Sequence, residues 1–339
     1  MGTKKWLAGA AGVFAASLAL SACTPTPQAS QPGLSQASVA TIAWNQAFYS
    51  ANGVTSFGNA TANNNILYMA NDSFNYYDKD LNLVPNTSFG TYEKTSDSPL
   101  TIKQTLADTA TWSDGVPVTP ADLILNTFAQ SGNFNNYEAK LDDETGDVGG
   151  KNTGTKVFFN ASSPGFALIK KFPTVEGKTI TYEYSKPYVD WDKGLMTTGV
   201  PAHVVGKRAL GIDDPTQAAQ AVSDAFKNKD NAALAKISNV WNSDFNFKTM
   251  PADKELLVSN GPYTITDLKE EQYVTLSKNP NYKGSHVPTI DTITVRIIPD
   301  AQASVQALQN GEVLATQPQA TADILKQMQA LSNVTVLNG

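Results

Sequence analysis

The sequence is poor in the residues that carry covalent and metal chemistry. Its 339 residues include one cysteine, Cys23, and two histidines, His203 and His286. A disulfide within the chain is therefore excluded, and a Cys/His zinc site cannot be assembled. A Ser-His-Asp triad would have to use one of the two histidines, and neither stands in a recognisable motif. Positive charge is also scarce. Lys and Arg number 25 against 31 Asp and Glu, a net charge of −6, which disfavours a phosphate backbone and argues against a nucleic-acid partner. What remains is globular in balance, with 41% hydrophobic and 17% charged residues, so disorder is not expected. The length fits two domains and not much more.

The chain opens with an address label. Lys4 and Lys5 precede an uncharged apolar stretch, residues 6–20, rich in Ala and Leu. That stretch suits a signal peptide and is too short to read as a spanning helix. Leu20-Ser21-Ala22-Cys23 follows and matches a bacterial lipobox, with the cysteine at the one position that needs it. Residues 1–22 are thus expected to be removed and Cys23 to carry a diacylglycerol. An ordinary signal peptide followed by a buried thiol is the alternative. Residues 23–38 are rich in Pro, Gln and Ser and read as a flexible tether. Acyl chains on Cys23 would hold the protein on the outer face of a membrane.

Patterning along the rest predicts mixed structure. Strands are expected at residues 39–44, at Leu100 to Leu106, at 157–159, at 179–184, around Tyr263/Ile265 and Val274/Leu276, and at Ile293 to Ile297. Residues 66–77 fit either helix or strand. Thr119-Pro120-Ala121-Asp122 predicts a helix start, with Thr119 as cap, Pro120 at its first position and Asp122 near the positive end of the dipole. Asp214, Asp230 and Asp300 mark three more starts, the last helix stopping at Asn310-Gly311. A final helix near 321–331 should bury Ile324, Leu325, Met328 and Leu331, with a strand at 334–337. No repeat of fixed period is visible. The class is α/β or α+β with more than one lobe.

Chemical motifs fail when tested. Gly177-Lys178-Thr179 looks like the end of a phosphate loop, but the first glycine would fall on Phe172 and a strand follows. No G-x-S-x-G elbow exists. Asp142-Asp143-Glu144-Thr145-Gly146-Asp147 could hold Ca²⁺, yet it lacks EF-hand spacing and reads better as a solvated loop. No metal and no cofactor is expected. His203, in an apolar run, reads as a hydrogen-bonded structural residue, and His286 sits in a loop with no partner in view.

Three stretches, taken in order, carry a resemblance. They are LTIKQTLADTATWSDGVPVTPAD (100–122), SNGPYTITDLKEEQYVTLSKNPNYKG (259–284) and PTIDTITVRIIPDAQASVQALQNGE (288–312). Val200-Pro201-Ala202-His203-Val204-Val205 adds a fourth. Together they resemble the extracellular solute-binding proteins of ABC importers, family 5, of oligopeptide/dipeptide type. Each motif also has a local reading. Trp112 can anchor the Ser113-Asp114-Gly115 turn. Gly261 would supply unusual backbone angles before Pro262 and Tyr263, and Tyr282 is an aromatic plug.

The resemblance implies an α/β, periplasmic-binding-protein-like two-lobe fold (class II, cluster C) with an extra small lobe. It places lobe I at 39–60 and 192–288 and lobe II at 61–191. The beginning of lobe III would lie at 289–339, its remainder missing, so that the chain looks truncated. It implies a non-enzymatic receptor, with a peptide ligand, permease subunits as partners and attachment through the N-terminal lipid. A nickel chelate, haem, an opine or a sugar are alternative ligands. A secreted hydrolase relying on His203 and a truncated interaction lipoprotein are alternative classes. In this fold the first strand exits into the ligand cleft, which makes Trp44, Asn45, Gln46, Phe48 and Tyr49 the candidate ligand residues.

Overall fold

The computed structural model describes residues 38–140, 142, 153–195 and 198–337. From the amino end the elements are β1 (Val39–Trp44), α1 (Thr61–Ala70), β2 (Asn75–Tyr77), β3 (Leu83–Pro85), β4 (Gly90–Asp97) and β5 (Leu100–Leu106). Next come α2 (Pro120–Ala129), β6 (Thr174–Glu176), β7 (Thr179–Glu183), α3 (Ala202–Leu210), α4 (Pro215–Asn228) and α5 (Asn231–Asn239). The chain closes with β8 (Tyr263–Lys269), β9 (Tyr273–Lys278), β10 (Thr292–Ile297), α6 (Ala301–Gln309), β11 (Ala315–Thr316) and α7 (Ala322–Gln329).

Short polar side chains start the helices as the sequence predicts. Asp214 accepts the Gln217 N–H at 2.8 Å, Asp230 those of Ala232 and Ala233, Asp300 that of Ala303 at 2.7 Å, and Thr321 that of Ile324. At α2 the capping carboxylate does more. Asp122 Oδ2 accepts the Thr119 N–H at 2.7 Å and its hydroxyl at 3.0 Å, while Oδ1 accepts the Ala202 N–H, which opens α3, at 2.8 Å. One buried carboxylate thus ties two helix starts together. Burial pushes its pKa up against these hydrogen bonds.

Two larger sheets organise the elements, beside the antiparallel β2-β3 pair. One has the order β11-β1-β10-β9-β8, and the other is β4-β5-β7-β6 with antiparallel pairs throughout. In the first, β1 runs parallel to both β10 and β11, and β9 is antiparallel to β10 and β8. Successive side chains of β1 point to opposite faces. Ile42 and Trp44 join a core with Phe48, Ile66, Val274 and Val295 beneath α1, and Ala43 packs with Ala307 and Val313 beneath α6. The largest core lies on the second sheet. There Ile102, Ile180 and Tyr182 meet Ile124, Leu125 and Phe128 of α2 and Val222 and Phe226 of α4.

Several expectations need correction. Residues 157–159 are buried at Val157 and Phe159 but form no strand. The side-chain amides of Asn135 and Asn136 accept the Phe159 and Val157 N–H groups at 2.8 Å each, and so replace a neighbouring strand. The final helix buries only Ile324 of its expected stripe, because it rests against α6 alone among the major packings, and residues 334–337 form no strand. Gly261 does not have a positive φ. It is required for space, since a Cβ there would lie 2.6 Å from the Ala70 carbonyl. β10, just after the boundary expected at residue 289, sits between β1 and β9 in the first sheet. The expected lipobox, the leader and, apart from Ser38, the tether lie outside the described residues.

Candidate functional site

In open α/β sheets, ligands bind beyond the carboxyl ends of parallel strands. β1 and β10 end together at the pair Trp44 and Ile297, and the Ile298 N–H donates to the Trp44 carbonyl at 2.8 Å. The Trp44 indole is half-buried, and its buried Nε1 donor has no acceptor. Asn45 is half-buried and Gln46 exposed at the same edge. Phe48 turns into the core, 6.0 Å from Phe247 between ring centroids. The Tyr49 N–H donates to Asn63 Oδ1 at 2.8 Å and its hydroxyl to the Phe57 carbonyl at 3.0 Å. Of the five candidates, Phe48 and Tyr49 are thus engaged within the fold, and Trp44 carries the unpaired donor.

A cavity of about 520 Å³ opens elsewhere, between α1, residues 71–77, Gly199, Pro262 and His286, and none of the five candidates lines it. That volume is in the range of small-molecule pockets. Its base is the segment after α1. The Asp72 N–H donates to Asn260 Oδ1 at 3.0 Å, and the Asp72 carbonyl accepts from Thr198 at 2.7 Å. The Asp72 carboxylate, almost buried, accepts the Tyr282 hydroxyl at 2.7 Å and faces His286 Nδ1 at 3.2 Å. The hydrogen bond to Asp72 holds His286 above the ordinary histidine value, with burial opposing it. Burial, followed by the Asp72 charge, pushes the Tyr282 hydroxyl far above the ordinary tyrosine value. Tyr76 meets His286 edge-on with centroids 4.5 Å apart.

His286 therefore has a partner, contrary to expectation, and Tyr282 plugs the loop as expected while also orienting Asp72. Asp72 and His286 are 214 residues apart. No local pattern marks such a pair, although Asn71-Asp72-Ser73 is an abrupt polar run after the apolar second half of α1.

The remaining motifs are architectural. His203 is buried and Nε2 meets Asp114 Oδ2 at 2.8 Å, with its ring edge-on to the fully buried Trp112. Burial pushes the Asp114 carboxyl up, but His203 and the Val116 N–H outweigh it and leave Asp114 below its usual value. The Ser113 N–H donates to the Ser259 carbonyl at 2.7 Å and joins the first motif to the second. The acidic run 142–147 lies outside the described residues except for Asp142. Among the described residues there is no cluster of three or more metal-ligating side chains, and no helix is long and apolar enough to cross a membrane.

Residues 85–338 match the family model described as bacterial extracellular solute-binding proteins, family 5 middle. An uncharacterized lipoprotein of Mycobacterium leprae is 27% identical over 301 residues, which cover 87% of this chain and 47% of the relative. Among solved structures, the periplasmic EDTA-binding protein EppA superposes with a TM-score of 0.65 at 24% identity, covering 86% of this chain and 46% of that one. The oligopeptide-binding protein AppA of Bacillus subtilis, solved with a nonapeptide, superposes with a TM-score of 0.56 at 16% identity and covers 87% and 46%. The fold is the mixed α/β architecture of these binding proteins. The chain spans about half the length of the relatives it matches, or less.

Proposed function

The chain belongs to the bacterial extracellular solute-binding proteins of family 5, and we propose that it captures a small solute, a peptide first among the candidates, and passes it to an ABC importer. The observation that carries this reading is the family match across residues 85–338. Capture is non-covalent in this reading. Two lobes close about a hinge on the ligand because the shut form adds contacts to it. No side chain has to act as nucleophile or base in this reading, and the family's character as solute-binding proteins supports a non-enzymatic role.

Trp44, Asn45 and Gln46 are the proposed wall of the cleft. The buried Trp44 Nε1 is a donor without an acceptor, and a peptide carbonyl supplies one. Leaving such a donor unpaired costs about 1–3 kcal/mol, part of which a ligand recovers. The nonapeptide of AppA supports a peptide ligand, and the name of EppA supports a wider range that includes chelates. The mycobacterial lipoprotein supports a lipid on Cys23 and a position outside the cytoplasmic membrane.

Thermal melting of the chain with peptide pools tests the reading. A ligand that binds only the native state raises the midpoint with concentration, by the equivalent of about 2.7 kcal/mol at a hundredfold excess over Kd. Trp44→Phe keeps an aromatic side chain but deletes the indole donor, and should weaken binding about three- to tenfold. No shift with any pool, on folded protein, contradicts the proposal.

A further inference from the structure

We infer that the cavity beside α1 is a separate ligand site for a small organic cation, a primary ammonium carried on an apolar or aromatic body. The argument begins with acceptors that lack donors. Asn75 is 2% exposed and lines the cavity. Its Nδ2 donates to the Asp192 carbonyl at 3.1 Å, which fixes the amide's orientation and leaves the buried Oδ1 without a donor. Asn71 Oδ1, also on the lining, is buried and unpaired as well. Asp72 stands between them in sequence, and its carboxylate already receives Tyr282 and His286.

The lining contains no Lys or Arg, and Asp72 and His286 are its charge-bearing residues. A bound anion would meet amide oxygens and a carboxylate, with His286 already turned to Asp72. A neutral apolar ligand would leave both amide oxygens buried and unpaired. An ammonium brings three donors to them, and the lining also holds the aromatic rings of Tyr68, Tyr76 and Tyr77, whose π-systems attract a cation. Leu67 and Val54 supply contact for the body. Because none of the residues proposed for the peptide cleft lines this cavity, the inference stands independently of the transport reading.

Calorimetric titration of the full chain with 2-phenylethylammonium, and with its carboxylate counterpart 3-phenylpropanoate, tests it. The ammonium should bind saturably and the carboxylate at least about tenfold more weakly. Asn75→Leu and Asn71→Leu should each weaken the ammonium about tenfold, the scale of one hydrogen bond to a charged group. Asn75→Leu also loses the bond to Asp192. Asn71 holds the end of α1 only through its backbone N–H on Leu67, so Asn71→Leu keeps the test valid if the other variant unfolds. Equal binding of the carboxylate, undiminished binding in Asn71→Leu, or no saturable binding in the millimolar range would each overturn the inference.

Discussion

Gly261→Ala probes the joint between the first sheet and the candidate cavity. A Cβ at 261 would lie 2.6 Å from both the carbonyl carbon and oxygen of Ala70 and 2.7 Å from the Asn71 nitrogen. These are backbone atoms at the end of α1, so no side chain can swing aside. Ordinary contact between such atoms needs about 3.5 Å, and the two segments must separate by roughly 1 Å. The Gly261 N–H also donates to the Ala70 carbonyl at 2.8 Å, and that bond stretches as they part. Overpacking costs about 1–3 kcal/mol and the weakened bond about 0.5–1.5 kcal/mol, for a total of about 1.5–4.5 kcal/mol. Gly177→Ala is the control. It has φ +59° with nothing within 4 Å, so it should lose only the cost of a left-handed residue, about 1–2 kcal/mol. Urea denaturation read by fluorescence and far-UV dichroism measures both, and coincident transitions justify the comparison. If Gly261→Ala lies within about 0.5 kcal/mol of the parent, below the ordinary cost of overpacking, the spatial argument is wrong.

Asp122→Ala should destabilise by about 2–5 kcal/mol in the same assay, because it strands the half-buried Thr119 and the buried Ala202 N–H groups; a loss near zero would show that the shared cap is dispensable. His286 contributes with a definite sign. Its folded pKa is raised above the ordinary 6.5 by Asp72, so its stabilisation is complete below that value and disappears as pH rises through the raised one. The parent should therefore lose stability across that interval relative to His286→Gln, and parallel pH profiles would contradict the pairing. Cys23→Ala should release the protein from membranes to the soluble fraction; retention in the membrane pellet would refute lipid anchoring.

Local chemistry made much of the fold legible. Asp214, Asp230 and Asp300 each bond an N–H two or three residues on, and a cap of that reach can be read from neighbours alone. Alternation revealed β1, β5, β8, β9 and β10. The misses came from partners distant in sequence. Val157 and Phe159 look like a strand but pair with asparagine side chains about twenty residues earlier. Its place in the first turn marks Asp122 as a dipole-favoured acid, and its second role depends on Ala202, 80 residues away. β2 and β3, three residues each, are too short to show a period. For the candidate site the order of the three motifs pointed to the family, and β1 led to Trp44. The cavity could not be read, because Asp72 meets Tyr282 and His286 only after the chain has built both sheets.

The central claim is that a small solute is held and then released unaltered. Native mass spectrometry of the chain after exposure to a defined peptide pool, followed by denaturing release and mass analysis of whatever was bound, tests it most directly. The account predicts a 1:1 complex whose released peptide has its original mass. Recovery of cleaved or modified peptide, or the absence of any complex on folded protein, would contradict it.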